Sequence, residues 1–167
     1  MSGRYDWREM AELQQQRDKR PVVVGIDGWD PSKAALSWAA RYAADTRRQL
    51  SVIVVWHLPT SFGWPLPVPE GWDPKSDART MLEHELKEVL GTLDSLDLIL
   101  SVAEGSPAKV LTEASKSASL VVVGNRGRGE IAGMLLGSVS EFLTAHAQCP
   151  VVVVRGNRTE EGRKACA

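Results

Sequence analysis

At 167 residues, with 43% hydrophobic and 25% charged side chains, the chain suits one domain with a single core and is too short for two comfortable ones. Its 20 basic and 21 acidic residues leave a formal net charge of -1, so no global field recruits nucleic acid or an anionic membrane. No apolar run approaches the ~20 residues that span a bilayer. The polar start, MSGRYDWREMAELQQQRDKR, lacks the apolar stretch of a signal peptide, and a cytoplasmic location is expected.

Residues 1–20 read as a charged N-terminal extension, residues 21–156 as the domain, and residues 157–167 as a flexible tail. Pro21 to Ile26 is a short β-branched run, the first predicted strand. A helix is predicted over 33–47, with Leu36, Trp38, Ala39 and Tyr42 available for one face. Pro31 fits its first turn, where a missing N–H costs nothing. Ser51 to Trp56 is the second strand. Residues 58–75 then carry five prolines together with Trp64 and Trp72, and an irregular connection of this length reads as a lid or binding loop. Leu82, Leu86, Val89, Leu90 and Leu93 recur at helical spacing over 77–93.

Leu96 to Ala103 is the third strand, and Ser106-Pro107 is the start signal of a helix over 107–118. Leu120 to Val123 is the fourth strand, 138–147 the last helix, and Val151 to Val154 the fifth strand. Short, continuously apolar strands alternating with helices imply right-handed crossovers and a single doubly wound, five-stranded parallel sheet flanked by helices, an α/β fold. Cys149, before Pro150 and the last valine run, reads as a buried reduced thiol. With Cys166 on the tail, two cysteines make neither a disulfide framework nor a four-ligand zinc site.

Ligands of such sheets bind beyond the carboxyl ends of the strands, where the strand order reverses. Two strand ends therefore matter: Asp27-Gly28 after the first strand, and Gly124 onward after the fourth. The fourth strand runs into Gly124-Asn-Arg-Gly127-Arg-Gly129, and Gly137-Ser138-Val139-Ser140 follows where the last helix starts. Glycines let the backbone approach a phosphate, and a helix N-terminus presents unpaired N–H groups with a favourable dipole. Ser138 and Ser140 add hydroxyls, and Arg126 and Arg128 add charge. Taken singly, these glycines are ordinary turn residues and Ser138 an ordinary N-cap. Taken together, Gly, two residues, Gly, nine residues and Gly-Ser between a buried strand and a helix point to bound phosphate.

The same residues resemble the universal stress protein family, specifically its ATP-binding branch. The resemblance covers Pro21 to Arg155 and includes VVVGIDG, EGSPAKVL, VVVGNRGRG and CPVVVV. It implies a Rossmann-like fold, similar to the adenine nucleotide alpha-hydrolases, with strand order 3-2-1-4-5. It implies that Asp27, at the end of Gly25 and Ile26, stands near the phosphates and their Mg²⁺, which it helps to hold. Val55 matches the residue whose backbone meets the adenine edge, and Gly105 lies in the wall near the nucleotide. Gly124, Arg126, Gly127, Gly137, Ser138, Val139 and Ser140 would hold phosphates and ribose. The family also implies a homodimer through the last strand, 150–155. One departure is Trp29, which stands where the family often has serine after Asp-Gly.

Rival readings are weaker. Gly127-x-Gly129-x-x-Ala132 matches a dinucleotide fingerprint, but the helix does not open there and no acidic residue follows ~20 positions on. No Gly-Lys-Ser/Thr supports a Walker-type nucleotidase, and no serine lies in a G-x-S-x-G elbow. His57, His84 and His146 are isolated, although His57 follows the second strand and can reach the rim of a pocket. The six tryptophans read as packing rather than a base-stacking platform for nucleic acid. The expected function is an ATP-binding regulator or binding module of a stress response. The alternatives are a slow ATPase or a module for cyclic AMP or another adenine nucleotide.

Overall fold

Valine and isoleucine runs make the central strands of this fold, largely buried on both faces, and alanine-rich or leucine-bearing amphipathic segments make its helices. A computed structural model describes residues 20–58, 60–61, 64–65, 69–91, 96–127 and 135–156. In chain order its elements are β1 (Val22–Ile26), α1 (Asp30–Thr46), β2 (Leu50–Trp56), β3 (Thr60–Ser61) and β4 (Trp64–Pro65). There follow α2 (Pro74–Leu90), β5 (Leu98–Glu104), α3 (Pro107–Ser115), β6 (Leu120–Gly124), α4 (Ser138–His146) and β7 (Val151–Val154). Residues 1–19 of the expected extension over 1–20, the tail over 157–167, Leu93, Arg128, Gly129, Ala132 and Cys166 lie outside the described residues.

Five strands form one sheet in the order β5-β2-β1-β6-β7, and every neighbouring pair is parallel. Without the small β3–β4 ladder, this is the expected order 3-2-1-4-5. Alternate side chains divide the core between the two faces of the sheet. Val22, Val24, Leu50 and Val52 pack under α1 and α2 with Leu36 and Leu82. Val23, Val121 and Val123 pack under α3 and α4 with Leu111 and Leu143.

Local chemistry moved several boundaries. Residues 58–75 were expected to be irregular throughout, yet Ser61 pairs with Trp64 in a two-stranded antiparallel ladder. Helix α2 starts earlier than 77 because Asp73 caps it, accepting from the N–H groups of Lys75 at 3.0 Å and Ser76 at 3.2 Å. Pro74 then occupies the first turn, where proline is tolerated. Gly91 ends the same helix at a φ of +58°.

In α1 the inward residues are Leu36, Ala39, Ala40 and Ala43, one stripe of the helix. Tyr42, expected on that face, is exposed and stacks on Trp38 at 5.2 Å. Lys33 ties α1 to α2, donating to Glu88 at 2.8 Å and lying 3.5 Å from Glu85. The hydrogen bond from Lys33 holds the Glu88 carboxyl below its ordinary pKa. Cys149 is half-buried rather than buried, and loss of hydration raises its thiol pKa. Among the described residues no helix is long and apolar enough to cross a membrane.

Candidate functional site

From β1 the sheet extends to β2 and β5 on one side and to β6 and β7 on the other. The carboxyl ends of β1 and β6 therefore flank the point where strand order reverses, where open parallel sheets bind their ligands. A cleft of about 880 Å³ opens there, within the usual size range of small-molecule sites. Of the residues expected at a site, it brings together Gly25, Ile26, Asp27, Val55, Gly124, Arg126, Gly127, Gly137, Ser138, Val139 and Ser140.

The three glycines of the loop have three different reasons to be glycine. A Cβ on Gly127 would run into Oδ2 of Asp27, so the loop backbone lies directly against that carboxylate. A Cβ on Gly124 would stand 2.7 Å from the carbonyl carbon of Pro31. There the missing side chain lets β6 approach the first turn of α1. Gly137 donates its N–H to the Asn125 carbonyl at 2.7 Å and is the N-cap of α4. The Cβ it lacks would lie 3.3 Å from Cα of Arg126, so the loop folds back onto the helix start.

Ser140 is buried, and its hydroxyl lies 3.2 Å from the Asn125 carbonyl and 2.9 Å from that of Gly137. It pins the loop to α4. Among the described residues no side chain caps the α4 N-terminus, and its first-turn residues Ser138, Val139 and Ser140, whose N–H groups have no intrahelical partner, line the cleft.

Asp27 is fixed by its own turn. Its Oδ1 accepts from the Trp29 N–H at 3.1 Å, and its N–H donates to Ser32 Oγ at 3.3 Å. Gly28 completes the turn at a φ of +85°. Ser32 in turn donates to the Trp29 carbonyl at 2.9 Å. The Trp29 ring is half exposed and is not among the described lining residues, whereas the buried Ser32 is. Gly25 makes room for Leu111, whose Cδ1 would be 2.6 Å from an added Cβ. Gly105 stands apart from the described lining. It turns the chain after β5 at a φ of +132° and donates to the Trp56 carbonyl at 2.9 Å.

Sequence reasoning missed the wall contributed by α2, where Asp77, Ala78 and Met81 line the cleft. Helical spacing signals burial of such residues but not which neighbour they face. Trp72, from the connection expected as a lid or binding loop, lines it too, as does His57. Away from the cleft, His84, Glu85 and Glu88 form one group of metal-capable side chains. The Lys33 ammonium already stands between the two carboxylates, which accounts for their clustering.

The pattern of the universal stress protein family matches residues 19–155. A universal stress protein of Mycobacterium tuberculosis is 33% identical over 150 residues, covering 87% of this chain and 51% of that relative. One from Mycolicibacterium smegmatis is 38% identical over 144 residues, covering 81% and 48%. The chain spans about half the length of the curated relatives it matches.

Among solved structures, a universal stress protein in complex with cAMP is 27% identical, with a TM-score of 0.61, over 81% of this chain and 95% of that one. The universal stress protein UspA from Lactobacillus plantarum is 18% identical at a TM-score of 0.66, over 83% and 100%, a likeness of fold. The match runs from before β1 to the residue after β7 and takes in both strand ends that build the cleft, so the chain belongs to the universal stress protein family.

Proposed function

We propose that the cleft binds an adenine nucleotide, ATP foremost, and that the chain is a nucleotide-dependent binding module of a stress response rather than a fast enzyme. The observation that carries this reading is the contact of Gly127 with the Asp27 carboxylate, beside an α4 N-terminus with no side-chain cap among the described residues. Backbone N–H groups and a helix dipole suit phosphate, while the apolar end of β2, with Ile53 and Val55, suits a base. The likeness to a structure in complex with cAMP supports the adenine class. Mass analysis of nucleotide co-purifying with the protein, followed by calorimetry with ATP and cAMP, tests it. Affinity for neither would overturn it.

Mg²⁺ fits the same end of the cleft, because hard cations take oxygen ligands and Oδ2 of Asp27 faces Gly127. Asp27 would hold the ion through the phosphates, and the ion would offset their charge. In Asp27→Asn the acceptor for the Trp29 N–H is kept and the charge is lost. The expected result is ATP binding that gains less from added Mg²⁺ than the wild type does. An equal gain in both proteins would leave Asp27 as a turn residue alone.

The homodimer is proposed through β7, which lies at the sheet edge, with two copies antiparallel about a two-fold axis. Pro150 and Val154 turn their carbonyls toward β6, where Val121 and Asn125 donate to them at 3.0 and 2.8 Å. By alternation, Val151 and Val153 turn their N–H and C=O groups outward. Each β7 side chain also packs against one face of the core or the other, so a charged substitution would damage the fold. Val153→Pro removes an outward donor while sparing the ladder to β6. It should shift dimer toward monomer in light scattering, and a monomeric wild type at micromolar concentration would end the proposal.

A further inference from the structure

We propose, resting on the nucleotide reading above, that Trp72 is the wall on which the base of the bound nucleotide stacks, and that Asp77 holds the ring ready for it. Trp72 belongs to the cleft lining and remains 38% exposed. Its indole N–H donates to Asp77 Oδ2 at 2.7 Å, and its backbone N–H donates to the Pro69 carbonyl at 3.1 Å. The next residue, Asp73, caps α2. A side chain held at its indole N–H, on a backbone that is itself held, loses little rotamer freedom when a ligand arrives, and pre-organisation of this kind favours binding.

The position of the ring fits a base rather than a phosphate. Met81 stands against Gly28, its Sδ 3.5 Å from the Cβ that glycine lacks, so α2 closes directly over the turn that carries Asp27. Asp77 lies one helical turn nearer the α2 N-terminus, ~6 Å along the axis, and Trp72 is bonded to it beyond. Because Asp73 already occupies the N–H groups at this helix start, the α2 end is closed to phosphate, in contrast to α4. The cleft thus has an anion end at Gly127 and an aromatic end at Trp72. Trp56 also lines it but is packed against the core, whereas Trp72 keeps more of its surface open, 38% exposed. Base–aromatic stacking tolerates any base because every base has a π-face. Adenine would therefore be held by its plane here, with hydrogen-bond selection left to the end of β2.

Calorimetric ATP titration of the wild type, Trp72→Ala, Trp72→Phe and Gly127→Val tests this. Thermal melts of each variant confirm the fold. Trp72→Ala should bind ATP about tenfold or more weakly, and Trp72→Phe should fall between Trp72→Ala and the wild type, because a smaller ring still offers a π-face but has no N–H for Asp77 to hold. Unchanged ATP affinity in Trp72→Ala would overturn the stacking role, as would a Trp72→Phe protein as weak as Trp72→Ala. Those two results leave the nucleotide reading standing so long as Gly127→Val loses affinity. A wild type with affinity for neither ATP nor cAMP would overturn both together.

Discussion

In a Gly127→Val variant, ATP affinity should fall at least tenfold, ~1.4 kcal/mol, while the protein stays folded. The added Cβ enters the space held by Asp27 Oδ2, and valine's two methyl groups add further bulk against that carboxylate. Close backbone approach to phosphate is lost. The fold survives because the obstructing atom is the tip of a side chain rather than backbone, and turning it aside costs only the bond from the Trp29 N–H. The φ of Gly127 also lies outside the left-handed region, so valine is not strained there. Calorimetry with ATP, beside a thermal melt, reads both halves of the expectation. A folded variant with wild-type affinity would take this loop out of the site.

The neighbouring glycine should answer in the opposite way. Gly124→Val should lower stability by about 1–3 kcal/mol, whatever it does to ligand binding. Its Cβ would stand 2.7 Å from the carbonyl carbon and 2.9 Å from the carbonyl oxygen of Pro31. Those are backbone atoms at the start of α1, and α1 packs along β1 and β6 as part of the core. Nothing there can rotate aside, so either α1 moves or the end of β6 does. Urea denaturation measures the loss as a lower midpoint. A variant as stable as the wild type would mean that β6 and α1 do not need this closeness. Together the pair separates a glycine kept for its ligand from a glycine kept for its fold.

The wall from α2 was not legible in the residues that form it. Asp77 and Met81 carry no glycine, cap or motif, and they reach the cleft only because α2 crosses the sheet beside Gly28. Ser140 is expected to hold phosphate or ribose; it does line the cleft, and its hydroxyl proton is directed at the Asn125 and Gly137 carbonyls. A serine in a motif announces a hydroxyl, but not which carbonyl lies near it once the chain folds. The early start of α2 at Pro74 was legible, since Asp73-Pro74 is a cap followed by a first-turn proline, but the weight of prolines around it hid the signal.

By itself the sequence determined the architecture: β-branched runs of strand length, alternating with helical stripes, admit few solutions besides a wound parallel sheet. It also singled out the loop after the fourth strand, whose residues line the cleft, because glycine and small-residue spacing is a property of the chain. What only the tertiary structure decided was the division of labour inside that loop. Gly124 and Gly127 look alike in the chain because glycine signals that something comes close, not what it is. The approach of Pro31 to one and of Asp27 to the other depends on α1 and β1 lying beside β6, contacts between residues about a hundred positions apart that no local pattern encodes.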